Sequence, residues 1–163
     1  MAMNTWLQMV TASEIDALKK NPPSITKLDK KDASYSTYYP CSINYFLMGA
    51  AYPDRAEHPL GSMLFGSESV DCSTLETGNF GLVSPRDVNT IATNLAKVDL
   101  VKLAKAVDDV DTDVLSDEEV DDFEILAEAG EGPSKALVAE IERLAKFYRR
   151  AADTKVGVVM YTS

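Results

Sequence analysis

The sequence predicts an α+β domain with a small mixed β-sheet, which includes strands from both ends of the chain, packed with about five or six helices. Apolar segments with strand character lie at 3–10, 79–83 and 156–161, and helical spacing fills the sequence between them. Strict alternation of strand and helix is missing, so a doubly wound parallel fold is not expected. We expect residues 1–163 to form a single domain, because this length can bury a sizeable core.

The chain begins with a strand followed by a capped helix. Residues 3–10 alternate loosely in hydrophobicity, which is typical of a strand with cover on both faces. Thr11 and Glu14 have the spacing of a capping box, in which each side chain bonds the backbone amide of the other. The polar, aperiodic stretch 24–38 is expected to be a loop, and apolar spacing over 43–50 predicts a helix.

The second half of the chain carries stronger helix signals. Ser84 followed by Pro85 is typical of a helix start, with a hydroxyl cap and a proline at the first helical position. Ser116 and Glu119 have the spacing of a second capping box, which predicts a helix after them. The longest helix is predicted over 135–152, where apolar residues recur at intervals of three and four.

Several short segments together resemble a known family. They are MAM at 1–3, INYFLMG at 43–49, PL at 59–60, FG at 65–66, GLVSP at 81–85 and FYRRAA at 147–152. This set resembles the YfbM-like family of small bacterial proteins and extends over nearly the whole chain. The resemblance implies an α+β cytoplasmic domain of uncharacterised function, and it supplies no catalytic residues.

The acidity of the chain is concentrated in one segment. The formal net charge is −10, and residues 108–124 contain ten acidic side chains and no Lys or Arg, while acids and bases balance elsewhere. A local excess of this kind attracts a basic partner and repels the phosphates of nucleic acid, so we expect no nucleic-acid binding. We expect the carboxylates of Glu118, Glu119, Asp121 and Asp122 to be exposed.

Tyrosines are dense between residues 35 and 52. This Tyr-rich loop, 35–52, carries Tyr35, Tyr38, Tyr39, Tyr45 and Tyr52. Tyrosine is common both at recognition surfaces and at the edge of a core, and the sequence leaves both interpretations open.

Candidate catalytic groups are few. His58 is the single histidine, so a metal site with two histidines from the chain is excluded. A nucleophilic dyad would pair His58 with Ser62 or a cysteine, but the sequence around Ser62 lacks the second glycine of a nucleophile elbow. Glu68 follows a less polar stretch and is the best carboxylate for acid–base chemistry. The catalytic residues stay unknown, and whether the chain is an enzyme stays open.

We expect no cofactor and no metal. Walker and GxGxxG motifs are missing from the sequence. Asp109, Asp111 and Asp113 copy the start of a calcium loop, but Val114 and Val120 replace its glycine and its glutamate. This disfavours a specific calcium site and leaves weak binding of divalent cations open. The cysteines Cys41 and Cys72 are expected to be buried free thiols, in keeping with a cytoplasmic location.

No membrane association is expected either. The N-terminus has neither the basic nor the apolar part of a secretory signal, and the apolar run at 45–52 is much shorter than the roughly 20 residues of a membrane span. Oligomeric state stays open.

Two functional hypotheses follow from the sequence. In the first, the chain is a protein-interaction module in which the acidic patch 108–124 and the Tyr-rich loop 35–52 meet a basic protein partner. In general character this resembles small acidic bacterial proteins that neutralise toxins. In the second, the chain binds or hydrolyses a small molecule in a cleft near His58, Ser62, Glu68 and Arg86.

Overall fold

Five strands form one antiparallel sheet in the computed structural model, which describes residues 3–28, 34–54 and 56–163. The strands are β1 (Thr5–Val10), β2 (Ser34–Thr37), β3 (Glu68–Asp71), β4 (Asn79–Val83) and β5 (Gly157–Thr162). Their order across the sheet is β2-β1-β5-β4-β3. The α+β class and the strands at both ends are confirmed, and each pairing is antiparallel, so the sheet is not mixed.

Seven α-helices and one 3-10 helix accompany the sheet in the described residues. They are α1 (Ala12–Lys20), a 3-10 helix (Pro22–Lys27), α2 (Pro40–Met48), α3 (Pro85–Leu95), α4 (Leu100–Asp108), α5 (Thr112–Asp117), α6 (Phe123–Ala127) and α7 (Pro133–Asp153). The capping box of α1 and the Ser84 cap of α3 are present as predicted. None of the helices in the described residues has the length and apolar character needed to span a membrane.

Two expectations about local structure are wrong. The expected loop at 24–38 contains the end of the 3-10 helix and the strand β2; residues 29–33 lie outside the described residues. β2 is short and polar, so its own sequence does not indicate a strand. Its extended conformation depends on pairing with β1. The expected capping box at Ser116 and Glu119 is also wrong, because Ser116 lies inside α5 and Asp111 caps that helix.

The sheet separates two apolar clusters. The larger one packs α3, α7 and the neighbouring helices against one face, and it includes Leu7 and Met160 of the sheet with Leu144 of α7. The smaller one lies on the other face, where α1 and the 3-10 helix cover Val10 and Val159. Both faces of β5 are therefore buried, which explains its continuous apolar sequence.

The pairing of β1 with β5 brings the two ends of the chain together. It is the longest register in the sheet and runs from Thr5 opposite Thr162 to Val10 opposite Gly157. Backbone hydrogen bonds continue it beyond the strands, since Asn4 and Ser163 exchange both of their amide–carbonyl bonds at 2.8 and 3.0 Å. The strand pairing therefore extends to the end of the sheet that borders the cleft described below.

Tyr148 of α7 anchors the turns between α2 and β3. Its side chain is fully buried, and its hydroxyl donates a hydrogen bond of 2.5 Å to the backbone carbonyl of Met63. Burial raises the pKa of Tyr148 well above its ordinary value, so the phenol stays a donor at all moderate pH. The turn continues to Phe65, whose carbonyl lies so close to Gly81 that no side chain could be accommodated there.

We expect Tyr148→Phe to lower the free energy of unfolding by about 1–3 kcal/mol, because the Met63 carbonyl would stay buried without its donor. Denaturant unfolding followed by circular dichroism measures the change. Tyr38→Phe is the matched control, since Tyr38 is exposed, and it should stay within about 0.5 kcal/mol of the wild type. Equal stability of the two variants would contradict the anchoring role.

Candidate binding cleft

A buried carboxylate from the acidic patch caps the start of α2. Tyr39, the residue before the helix, gives no side-chain hydrogen bond to the first turn. Instead, Asp122 Oδ2 accepts from the Cys41 amide at 2.7 Å, and its Oδ1 accepts from the Ser42 amide at 2.8 Å and from the Ser42 hydroxyl. A carboxylate suits this position because the first amides of a helix lack intrahelical partners and carry the positive end of the dipole.

The position of Asp122 corrects the expectation that it is exposed like its neighbours. The residue is only 9% exposed, and the adjacent Phe123 packs against Phe46 of α2 with ring centroids 6.0 Å apart. Burial raises the pKa of Asp122 above its ordinary value, although the hydrogen bonds from Ser42 and Cys41 act in the opposite direction. Loss of hydration therefore outweighs the favourable bonds to the ionised form.

A cleft of about 200 Å³ opens beside this contact. It lies between the N-terminus of α2, the paired ends of β1 and β5, the turn before β3 and the beginning of α6. Aromatic and apolar side chains make up most of its lining, together with two carboxylates and no Lys or Arg among the described residues. The lining residues are Met3, Thr5, Tyr38, Pro40, Cys41, Tyr52, Phe65, Asp121, Asp122, Ile125 and Thr162.

The rim of the cleft is unusually apolar for a surface. Among the described residues, the large hydrophobic side chains that are exposed include Met3 at 57%, Tyr38 at 48% and Tyr52 at 59%, and all three line this cleft. Exposed apolar side chains are ordinary when scattered, but a cluster at the edge of a concavity is typical of a binding site.

Contacts within the lining fix the orientation of Tyr52. Its ring stacks on Phe65 with centroids 5.8 Å apart and an angle of 22° between the planes. Its hydroxyl accepts a hydrogen bond of 3.4 Å from Cys41 Sγ. Burial is the largest cause that raises the pKa of Cys41, to about 11, so this thiol is protonated at neutral pH and is a poor nucleophile.

The five tyrosines of the Tyr-rich loop divide between core and surface. Tyr38 and Tyr52 line the cleft. Tyr35 is buried, and its hydroxyl donates a hydrogen bond of 2.8 Å to Glu140. Tyr39 and Tyr45 are half-buried against the larger apolar cluster. Sequence spacing could not distinguish the buried tyrosines from the exposed ones, because the segment includes parts of a short strand, β2, and a short helix, α2. Neither element is long enough to show a clear periodicity.

The remainder of the acidic patch is mostly exposed. Leu115 and Val120 turn inward, and the acidic side chains between and beside them face solvent, with the exception of Asp122. Lys105 pairs with Asp109 at 2.5 Å, but both side chains are highly exposed, so this pair adds little stability. The patch is therefore a strongly negative surface that ends at the cleft with Asp121.

The residues of the small-molecule hypothesis have separate surroundings. His58 Nδ1 accepts a hydrogen bond of 3.0 Å from the Leu60 amide, and its side chain borders a shallow groove against α3 and α4. Ser62 is buried in the turn, and Glu68 pairs with Lys19 of α1 at 2.8 Å. Arg86 is exposed in the first turn of α3. The hydrogen bonds and ion pairs of the described residues do not join His58, Ser62 and Glu68 in one site.

Both cysteines are buried free thiols, as predicted. Within residues 3–28, 34–54 and 56–163, no group of three or more His, Cys, Asp or Glu side chains has an arrangement that could hold a metal ion.

Comparison with known proteins agrees with the predicted resemblance. Residues 1–161 match a domain of unknown function, DUF1877. The chain belongs to this family. YfbM from Escherichia coli, a protein of unknown function, has a similar structure with a TM-score of 0.66 and 15% identity, over 98% of this chain and 99% of that chain. At this identity the likeness shows the fold alone, and no curated protein matches the chain significantly.

We expect Asp122→Ala to lower the free energy of unfolding at neutral pH by at least about 2 kcal/mol, because two buried amides of α2 would lose their acceptor. The matched control is Asp121→Ala, which removes the neighbouring exposed carboxylate and should cost less than about 0.5 kcal/mol. Thermal and denaturant unfolding of both variants checks the difference. Similar losses for the two would show that Asp122 does not hold the start of α2.

The raised pKa of Asp122 affects how the free energy of unfolding depends on pH. Because burial raises this pKa in the folded state, the folded protein binds a proton more readily than the unfolded chain. The contribution of Asp122 to the free energy of unfolding should therefore fall as pH rises through the window between the unfolded pKa, about 3.9, and the higher folded pKa. Stability of the wild type minus that of Asp122→Asn, measured across this window, isolates the effect. A difference that rises with pH would contradict it.

Proposed function

We propose that this protein is a protein-interaction module that binds a basic protein partner at the cleft beside Asp122. The observation that carries the proposal is the convergence of two segments on one concavity. The Tyr-rich loop supplies Tyr38 and Tyr52, and the acidic patch supplies Asp121 and Asp122. These segments are separated by α3 and α4 in the sequence, and the cap on α2 brings them together.

The chemistry of the surface supports a basic partner. Exposed aromatic side chains provide large contact area at low cost in conformational entropy, which is why they dominate the centres of protein interfaces. The acidic patch reaches this centre with Asp121 and Asp122, and its negative charge accelerates the approach of a positive partner and disfavours an acidic one. A basic toxin held by an acidic neutralising protein is one partner of this kind, by analogy of charge alone.

The size of the cleft favours a protein partner over a metabolite. Sites for drug-sized ligands enclose about 300–1,000 Å³, and most of the ligand surface is buried in them. This cleft is about 200 Å³ and its rim is exposed. It suits one protruding side chain of a partner whose remaining contacts spread over the surrounding acidic surface.

The proposal is tested by selecting binding peptides from a random displayed library on the immobilised protein. Selected peptides should be net positive, and their binding to Asp117→Lys/Glu118→Lys should be at least about ten-fold weaker, because like charges would then face each other. The matched control is Asp16→Lys/Glu142→Lys, which changes the net charge equally at exposed acids outside the patch and should retain binding. Selected peptides without excess positive charge, or equal losses for both variants, would contradict the proposal.

A further inference from the structure

We infer that the cleft accepts a single arginine side chain of the basic partner, with its guanidinium group against the tyrosine rings and beside Asp121. The inference rests on the proposed function and names the group that the cleft recognises. The lining of the cleft supports it, and so does a similar arrangement that the chain already makes within itself.

The internal arrangement lies between β2 and α7. The guanidinium of Arg143 lies over the ring of Tyr35, with Cζ 4.8 Å from the ring centroid. Its Nη1 donates to Glu140 Oε1 at 2.5 Å, and its Nη2 donates to the Ser36 carbonyl at 3.1 Å. A tyrosine ring, a carboxylate and a neutral oxygen thus hold one arginine, and each group satisfies a different part of the guanidinium.

The cleft offers the same three kinds of group without a cation of its own among the described lining residues. Tyr38 and Tyr52 present rings, and Asp121 presents a carboxylate. The hydroxyl of Thr162, which lies 3.4 Å from that of the fully buried Thr5, supplies a neutral oxygen. Asp122 also lines the cleft and adds negative charge, although its own oxygens already accept hydrogen bonds from α2. A cation that enters the cleft therefore finds partners on several sides.

Arginine fits these groups better than lysine. A guanidinium is planar, so it can stack on a ring while its edge donates to a carboxylate, whereas an ammonium group is compact and strongly hydrated. The stem of the side chain is also accommodated, because Met3, Phe65 and Ile125 give the cleft apolar walls. Stacking of Tyr52 on Phe65 holds one ring in place before a partner arrives, which reduces the entropy lost on binding.

The test uses three blocked tripeptides with glycine on either side of arginine, lysine or citrulline, which has the shape of arginine without its charge. Each is titrated into the full chain and followed by amide and tyrosine-ring NMR shifts. We expect saturable shifts that centre on Tyr38, Tyr52 and Asp121. The arginine peptide should bind several-fold more tightly than the lysine peptide and at least about ten-fold more tightly than the citrulline peptide.

Variants of the cleft separate the ring from the charge. Tyr52→Phe keeps the ring and should retain arginine binding within about two-fold, whereas Tyr52→Leu should weaken it by about three-fold or more. Asp121→Asn should reduce the preference for arginine over citrulline, and Asp117→Asn is its matched control on the same patch. Each variant is first compared with the wild type by its amide spectrum, so that loss of folding is not mistaken for loss of binding.

The possible results have distinct meanings. Equal binding of citrulline and arginine, or saturation at residues outside the cleft, would overturn the inference. No saturable shift with the arginine peptide would also overturn it, and the proposed function would still stand if displayed basic peptides bind in a patch-dependent way. Failure of the displayed peptides as well would remove both.

Discussion

The contact between Asp122 and the first turn of α2 determines how this molecule is arranged around its cleft. Asp122 lies 81 residues beyond Cys41 in sequence, yet its carboxylate is bonded to the amides of Cys41 and Ser42. Helix α2 has no cap from its own N-terminal neighbour, so the segment 108–124 must be in place before the helix start is satisfied. Packing of Phe123 on Phe46 supports the same contact from the apolar side.

This contact divides the acidic patch into one enclosed residue and an exposed remainder. Asp122 is enclosed, and its oxygens accept hydrogen bonds from the first amides of α2, so this side chain is used in forming the fold. Asp121, the adjacent residue in the chain, is exposed and lines the cleft. Two identical side chains side by side in the sequence thus have different surroundings, one inside the fold and one at the surface. The difference is set by which of them meets the helix end.

Local signals explain which parts of the structure the sequence predicted. The caps at Thr11 and Ser84 and the apolar periodicity of α7 each depend on a single helix. All three predicted helices are confirmed. β2 and β3 were missed because they are short and polar and depend on pairing with a neighbouring strand. The two segments that form the cleft were both singled out by composition. Their meeting was not predictable, because the bond that joins them is made by one aspartate among ten acids that look alike in sequence.

The pairing of β1 with β5 has a consequence for how the chain folds. β5 is the central strand and lies between β1 and β4. Its partner β1 is more than 140 residues earlier in the sequence. Closing so long a loop costs entropy before any contact repays it, so the helices form their local contacts first. During synthesis, β1 and β2 cannot be joined to β4 and β3 in one sheet until residues 157–162 have been made. The central strand of the sheet is thus the last one available, and the sheet is completed from the middle.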